Sequence, residues 1–139
     1  MKRLLIAALA LSACVGPALS DDITTGEWQL IALEGQPVTW TASLVLAADG
    51  KVSGQAPCNR YFGTNGATLP DLSLGALGAT KMACPDLAAE AVFFEALGTV
   101  TRAELDQGHL FLIGPEGRVM EFVRDRAAGE PCLSCTPAN

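Results

Sequence analysis

The sequence predicts an α+β fold: a curled, mainly antiparallel β-sheet packed on a single α-helix. Strand-like segments come first, one convincing helical segment follows, and strand-like segments close the domain. No repeated βαβ alternation is present, which argues against a parallel sheet. At 139 residues, half of them apolar, the chain suffices for one compact domain with a modest core.

The N-terminus sets the compartment. Lys2 and Arg3 precede the apolar run Leu4 to Ala13, the layout of a bacterial export signal and too short to span a bilayer as a helix. The run ends in Leu11-Ser12-Ala13-Cys14, which resembles a lipobox, so residues 1–13 are expected to be removed and Cys14 acylated. Cleavage after Ser20 is the alternative, with Pro17 ending the apolar helix and the product free in the periplasm. Five cysteines favour the first route, since acylating Cys14 leaves an even set of four in an oxidising compartment. Val15 stands where the sorting rule for inner-membrane retention has Asp, so outer-membrane attachment is expected by resemblance. Loss of Lys2 and Arg3 takes the formal charge from −6 to −8, which argues against nucleic acid or anionic lipid as a partner.

Residues 14–25 carry Gly, Pro, Ser, Asp and Thr without an apolar period and read as a tether. The domain is expected over 26–125. Trp28, Leu30 and Ala32 alternate with Glu27, Gln29 and Ile31, a half-buried strand with Ile31 imperfect. Ser43 to Ala47 and Lys51 to Gln55 form a hairpin around Ala48-Asp49-Gly50. Leu69 to Thr80, interrupted by Gly75 and Gly78, reads as one irregular strand or two short ones. Pro85 and Asp86 open the helix, with Leu87, Ala91, Phe94 and Leu97 as its apolar stripe and Glu90 and Glu95 outside it. Strands follow at Arg102 to Leu105, His109 to Ile113 and Arg118 to Arg124, the last two forming a second hairpin. Residues 126–139 read as a loose tail that contains Cys132 and Cys135.

Taken together, these residues resemble the META domain of the HslJ-like family of bacterial envelope proteins. Gly26, Trp28 and Leu30 match the Gly-x-Trp-x-Leu opening; Gly50, Val52 and Gly54 match the second-strand pattern. Cys58, Asn59, Tyr61 and Gly63 match a Cys-Asn-x-aromatic-x-Gly element, and Thr80, Met82, Ala83 and Cys84 a Thr-x-Met-x-Cys element before the helix. Pro57 departs from the family's usual Gly there, and its fixed φ requires a different local turn if the family backbone needs positive φ. The resemblance implies an α+β domain tied to heat shock and envelope stress, with no enzymatic activity, and a fold similar to a secretin pilotin.

The chemistry is sparse. Cys58 and Cys84 are read as a structural disulfide, worth about 3–4 kcal/mol in the chain-entropy model. Free thiols or pairing with Cys132 and Cys135 remain, since four cysteines allow three connectivities. Cys132-Leu133-Ser134-Cys135 has redox spacing, but only Thr136 to Asn139 follows, too little for the helix that lowers a thiol's pKa. A zinc site lacks a second close pair, His109 reads as a surface or strand-end residue, and no serine sits in a GxSxG elbow. Trp40, between Thr39 and Thr41, reads as a core residue on a strand edge, with a second contact point as the alternative. Asn59, Arg60 and Tyr61 are the binding candidates, Asn59 alternatively bonding its own turn backbone and Arg60 and Tyr61 projecting to a partner. The expectation is therefore a non-enzymatic lipoprotein without cofactor or metal, binding an envelope protein. A thiol-redox protein using Cys132 and Cys135, or a binder of an apolar ligand, is the alternative.

Overall fold

The computed structural model describes residues 19–127, 129 and 131. The expected export signal, Cys14, Cys132 and Cys135 lie outside the described residues. A short helix α1 (Leu19–Thr24) leads into β1 (Trp28–Leu33), β2 (Gln36–Pro37), β3 (Ser43–Leu46), β4 (Lys51–Gln55), β5 (Arg60–Thr64) and β6 (Gly78–Ala79). Helix α2 (Leu87–Thr99) follows, then β7 (Arg102–Asp106), β8 (His109–Gly114) and β9 (Gly117–Val123). The strands form one antiparallel sheet in the order β6-β5-β4-β3-β1-β9-β8-β7, with β2 paired to β1 off that path.

No strand closes this sheet among the described residues. Instead, part of the segment read as strand from Leu69 to Thr80 bonds the β7 edge: Ala103 N–H donates to Pro70 O at 2.7 Å and Leu72 N–H to Thr101 O at 2.8 Å. That segment forms regular strand only at β6, with single bridges at Leu74 and Asp71. Asn65 holds its start, accepting from Ser73 N–H at 2.7 Å and donating to Asp71 O at 3.0 Å.

Strand alternation accounts for the core. Trp28 and Leu30 on β1, Leu44 on β3, Tyr61 on β5, Phe93 on α2 and Phe122 on β9 belong to one buried cluster. Ile31 breaks the alternation because the β1–β9 register shifts between Leu30 and Ala32, a bulge that buries three consecutive residues. The β3–β4 hairpin turns on Gly50 at φ 85°, a conformation that side chains with a Cβ rarely adopt.

The domain begins earlier than the tether reading placed it. Ile23 is buried, its carbonyl accepts from Trp28 Nε1 at 2.9 Å, and Arg124 lies 3.7 Å over the Trp28 ring while donating to Asp22 O. The apolar Ile23 inside a polar stretch is the anchor that composition averages away. At the other end, Arg126 is tied in, donating to Trp40 O at 2.7 Å and Val38 O at 2.9 Å. Trp40 itself is half-buried outside the strands, edge-on to Phe93 at 6.3 Å.

Tyr61 is buried at 1 % exposure, and its hydroxyl donates to Ser43 O at 2.7 Å across β4. Gly54 lies between them, where a Cβ would stand 2.1 Å from Ser43 O and 2.7 Å from the Tyr61 hydroxyl. Burial pushes the Tyr61 phenol well above its ordinary value, and the Glu27 charge acts in the same direction. The native state thus keeps a proton that the unfolded chain releases near pH 10, so this contribution to stability is intact below about pH 10 and lost as pH rises further. Tyr61 is the only tyrosine, so phenolate absorbance reports it alone. In an alkaline titration that absorbance is expected to rise only together with loss of circular dichroism. A phenolate signal near pH 10 in the folded protein contradicts the assignment.

Candidate functional site

The residues from Cys58 to Cys84 meet the start of α2 in one polar junction. Ala56 N–H donates to Asn59 O at 2.8 Å, closing the turn between β4 and β5 and presenting the N–H groups of Cys58 and Asn59 to the helix. Both donate to Glu90 Oε2, at 3.0 and 2.6 Å, while Asn59 Nδ2 donates to Oε1 at 2.8 Å. Glu90 lies in the first turn of α2, where a negative charge also suits the helix dipole.

Asn59 faces the strap before α2, residues 80–86, with the rest of its amide. Its Oδ1 accepts from Thr80 Oγ1 at 2.9 Å and Met82 N–H at 2.6 Å, and Nδ2 donates to Met82 O at 3.3 Å. The Thr80 hydroxyl oxygen in turn accepts from Arg60 N–H at 3.1 Å. Both amide hydrogens and the carbonyl of Asn59 are thereby used, which is all that this side chain offers. A disulfide joins Cys58 to Cys84 at a Cα separation of 6.0 Å, so the same strap is held covalently.

The junction corrects two expectations. Asn59 bonds across the fold rather than to its own turn. The helix buries Glu90, Phe93 and Leu97, whereas Leu87 and Ala91 of the expected stripe are exposed. Ala, Val, Phe and Leu surround most of α2, so the apolar pattern leaves its rotation open; the three N–H donors turn Glu90 inward. Glu95 does remain outside.

Of the three binding candidates, only Arg60 is exposed. Tyr61 cannot project beside it, because consecutive strand residues point to opposite faces. Phe62, on the Arg60 face, is the exposed aromatic at 61 %. The large exposed hydrophobics among the described residues are Phe62, Met82, Leu87 and Val92, all on β5, the strap or α2. Arg60 and Lys81 add positive charge at the same junction of an acidic chain. The signal for Phe62 was strand parity; Glu90 carried none that separated it from Glu95.

Two other places hold polar groups. On β7 to β9, His109 Nδ1 lies 2.7 Å from Glu121 Oε1, and Arg118 reaches Glu104 at 3.1 Å and Asp106 at 3.0 Å while lying 3.8 Å over Phe111. His109 thus starts β8 as expected but is partly covered and paired. A cleft of about 410 Å³ lies at the β3–β4 turn, lined among others by Thr24, Leu46, Asp49, Lys51, Asn65 and Leu69. No group of three or more His, Cys, Asp or Glu side chains suited to a metal occurs among the described residues.

With Glu90 replaced by Ala, three donors lose their acceptor, and urea denaturation is expected to show a loss of about 3 kcal/mol or more. Glu95→Ala is expected to stay within about 0.5 kcal/mol. Equal effects from the two substitutions contradict the junction.

Residues 21–127 match the model of the META domain family. Among solved structures, the chain is similar to an NMR structure of a protein from Burkholderia xenovorans, at 22 % identity and a TM-score of 0.60, covering 91 % of this chain and 99 % of that one. A second NMR structure is similar at 18 % identity and a TM-score of 0.60, covering 81 % of this chain and 99 % of that one. At these identities the likeness concerns the fold. No curated protein matches the chain.

Proposed function

The chain belongs to the META domain family, and from that premise we propose that it is a non-enzymatic binding module of the bacterial cell envelope, anchored through acylated Cys14. The observation that carries this reading is the distribution of exposed apolar side chains. Phe62, Met82, Leu87 and Val92 all lie on segments joined by the Asn59–Glu90 junction and the disulfide, next to Arg60 and Lys81. Large apolar groups held in water on a rigid, cross-linked frame suit recognition of another protein, because little conformational entropy is lost on docking. In this reading α2 packs on the concave side of the sheet through Phe93 and Leu97, its opposite face remaining available. The polar atoms of Asn59 and Glu90 are spent on each other, on Thr80 and on the backbone of the turn and strap, which suits a scaffold rather than a reacting site.

The anchor has a geometric consequence. Cys14 precedes Leu19 by five residues, a span of at most about 18 Å when extended, so the domain would sit close against the membrane surface. The partner is then an envelope protein reachable from that surface, and a role in envelope stress is the family expectation carried forward.

Cells grown with radiolabelled palmitate are expected to label the wild-type protein and not Cys14→Ala; an unlabelled wild type contradicts the anchor. Cross-linking in intact envelopes is expected to lose its partner product about tenfold in Arg60→Ala/Phe62→Ser, at unchanged thermal stability. A folded double variant with the wild-type cross-linking pattern contradicts the binding surface.

A further inference from the structure

The two sulfurs of the disulfide stand in unequal surroundings. Cys58 is 8 % exposed, with its N–H bonded to Glu90 and its Sγ 3.4 Å from Met82 O. Cys84 is partly exposed, in a strap whose neighbours Lys81, Met82, Ala83, Pro85 and Asp86 are all exposed. The strap has a second attachment on its N-terminal side, through Asn59 to Thr80 and Met82.

We propose that Cys84 is a site of thiol–disulfide exchange, and that the Cys58–Cys84 bond is a reversible clasp opened by a low-molecular-weight thiol. Attack on a disulfide proceeds along the S–S axis and needs access to the sulfur attacked, which selects Cys84. The incoming thiolate forms a new S–S bond to Cys84 Sγ, the old S–S bond breaks, and its electron pair leaves on Cys58 Sγ. Cys58 then takes a proton from solvent, and its S–H has Met82 O 3.4 Å away as acceptor. A second thiolate attacking the mixed disulfide releases Cys84 and the oxidised small thiol. No other redox partner is required.

Opening frees only the stretch after Met82, because Asn59 still holds Thr80 and Met82. Held within reach of Cys58, Cys84 is returned at high effective concentration, which makes the step reversible. The position of Leu87 changes with the clasp. That consequence rests on the binding surface proposed above; the exchange chemistry does not.

The test treats the oxidised full-length protein with reduced glutathione, quenches with acid, alkylates and maps the peptides, which separates Cys132 and Cys135. The expected product carries glutathione on Cys84 and the alkyl group on Cys58, exceeding the reverse arrangement by about tenfold. Hydrogen exchange on the mixed disulfide is expected to show lost protection confined to residues 83–88. In Cys58→Ser, Cys84 is expected to alkylate at least about tenfold faster than Cys58 does in Cys84→Ser. Glutathione on Cys58, equal alkylation rates, or loss of protection throughout the sheet overturns the proposal. Because no binding partner enters these measurements, a wrong binding surface leaves their outcome unchanged.

Discussion

Glu90 is a charged side chain at 8 % exposure, and three N–H groups from Cys58 and Asn59 at the β4–β5 turn are what make that position tolerable. A buried polar group without partners costs several kcal/mol, while one fully bonded fixes the geometry of everything attached to it. Here the attached parts are the β4–β5 turn, the strap before α2, and α2 itself. The rotation of the helix, the inward position of Phe93 and the approach of Cys84 to Cys58 all follow from where that carboxylate must sit.

The disulfide and the junction act on the same strap by different physics. The covalent link acts chiefly on the unfolded chain by closing a loop, whereas the hydrogen bonds act on the native state and need the exact turn at Ala56–Asn59. Asn59 connects the two, since one amide serves both Glu90 and Met82. Side chains that point outward from this frame, Arg60, Phe62, Met82 and Leu87, are consequently presented by a part of the molecule with few ways to move.

Much of the fold was legible because alternation and turn chemistry are local. The β3–β4 hairpin around Gly50 and the hairpin of β8 and β9 follow from residues within a few positions of one another. Gly54 and Tyr61, two separate positions of the family pattern, form one contact: the glycine leaves room for the hydroxyl to reach Ser43. The junction was not legible, because Asn59 and Glu90 are 31 residues apart and nothing in an apolar helix distinguishes Glu90 from Glu95. Tyr61 as a projecting residue conflicted with strand parity, which places Arg60 and Phe62 outward together. Ile23 was hidden by the polar residues around it.

Direct coupling between Asn59 and Glu90 is what ties the strap and the helix to the β4–β5 turn. A double-mutant cycle of Asn59→Ala and Glu90→Ala, read by urea denaturation of the oxidised protein, measures it. Coupling of about 2 kcal/mol is predicted, the double variant being far less destabilised than the two single losses added together. Additive losses, with coupling near zero, would contradict the claim that this pair sets the strap and the helix.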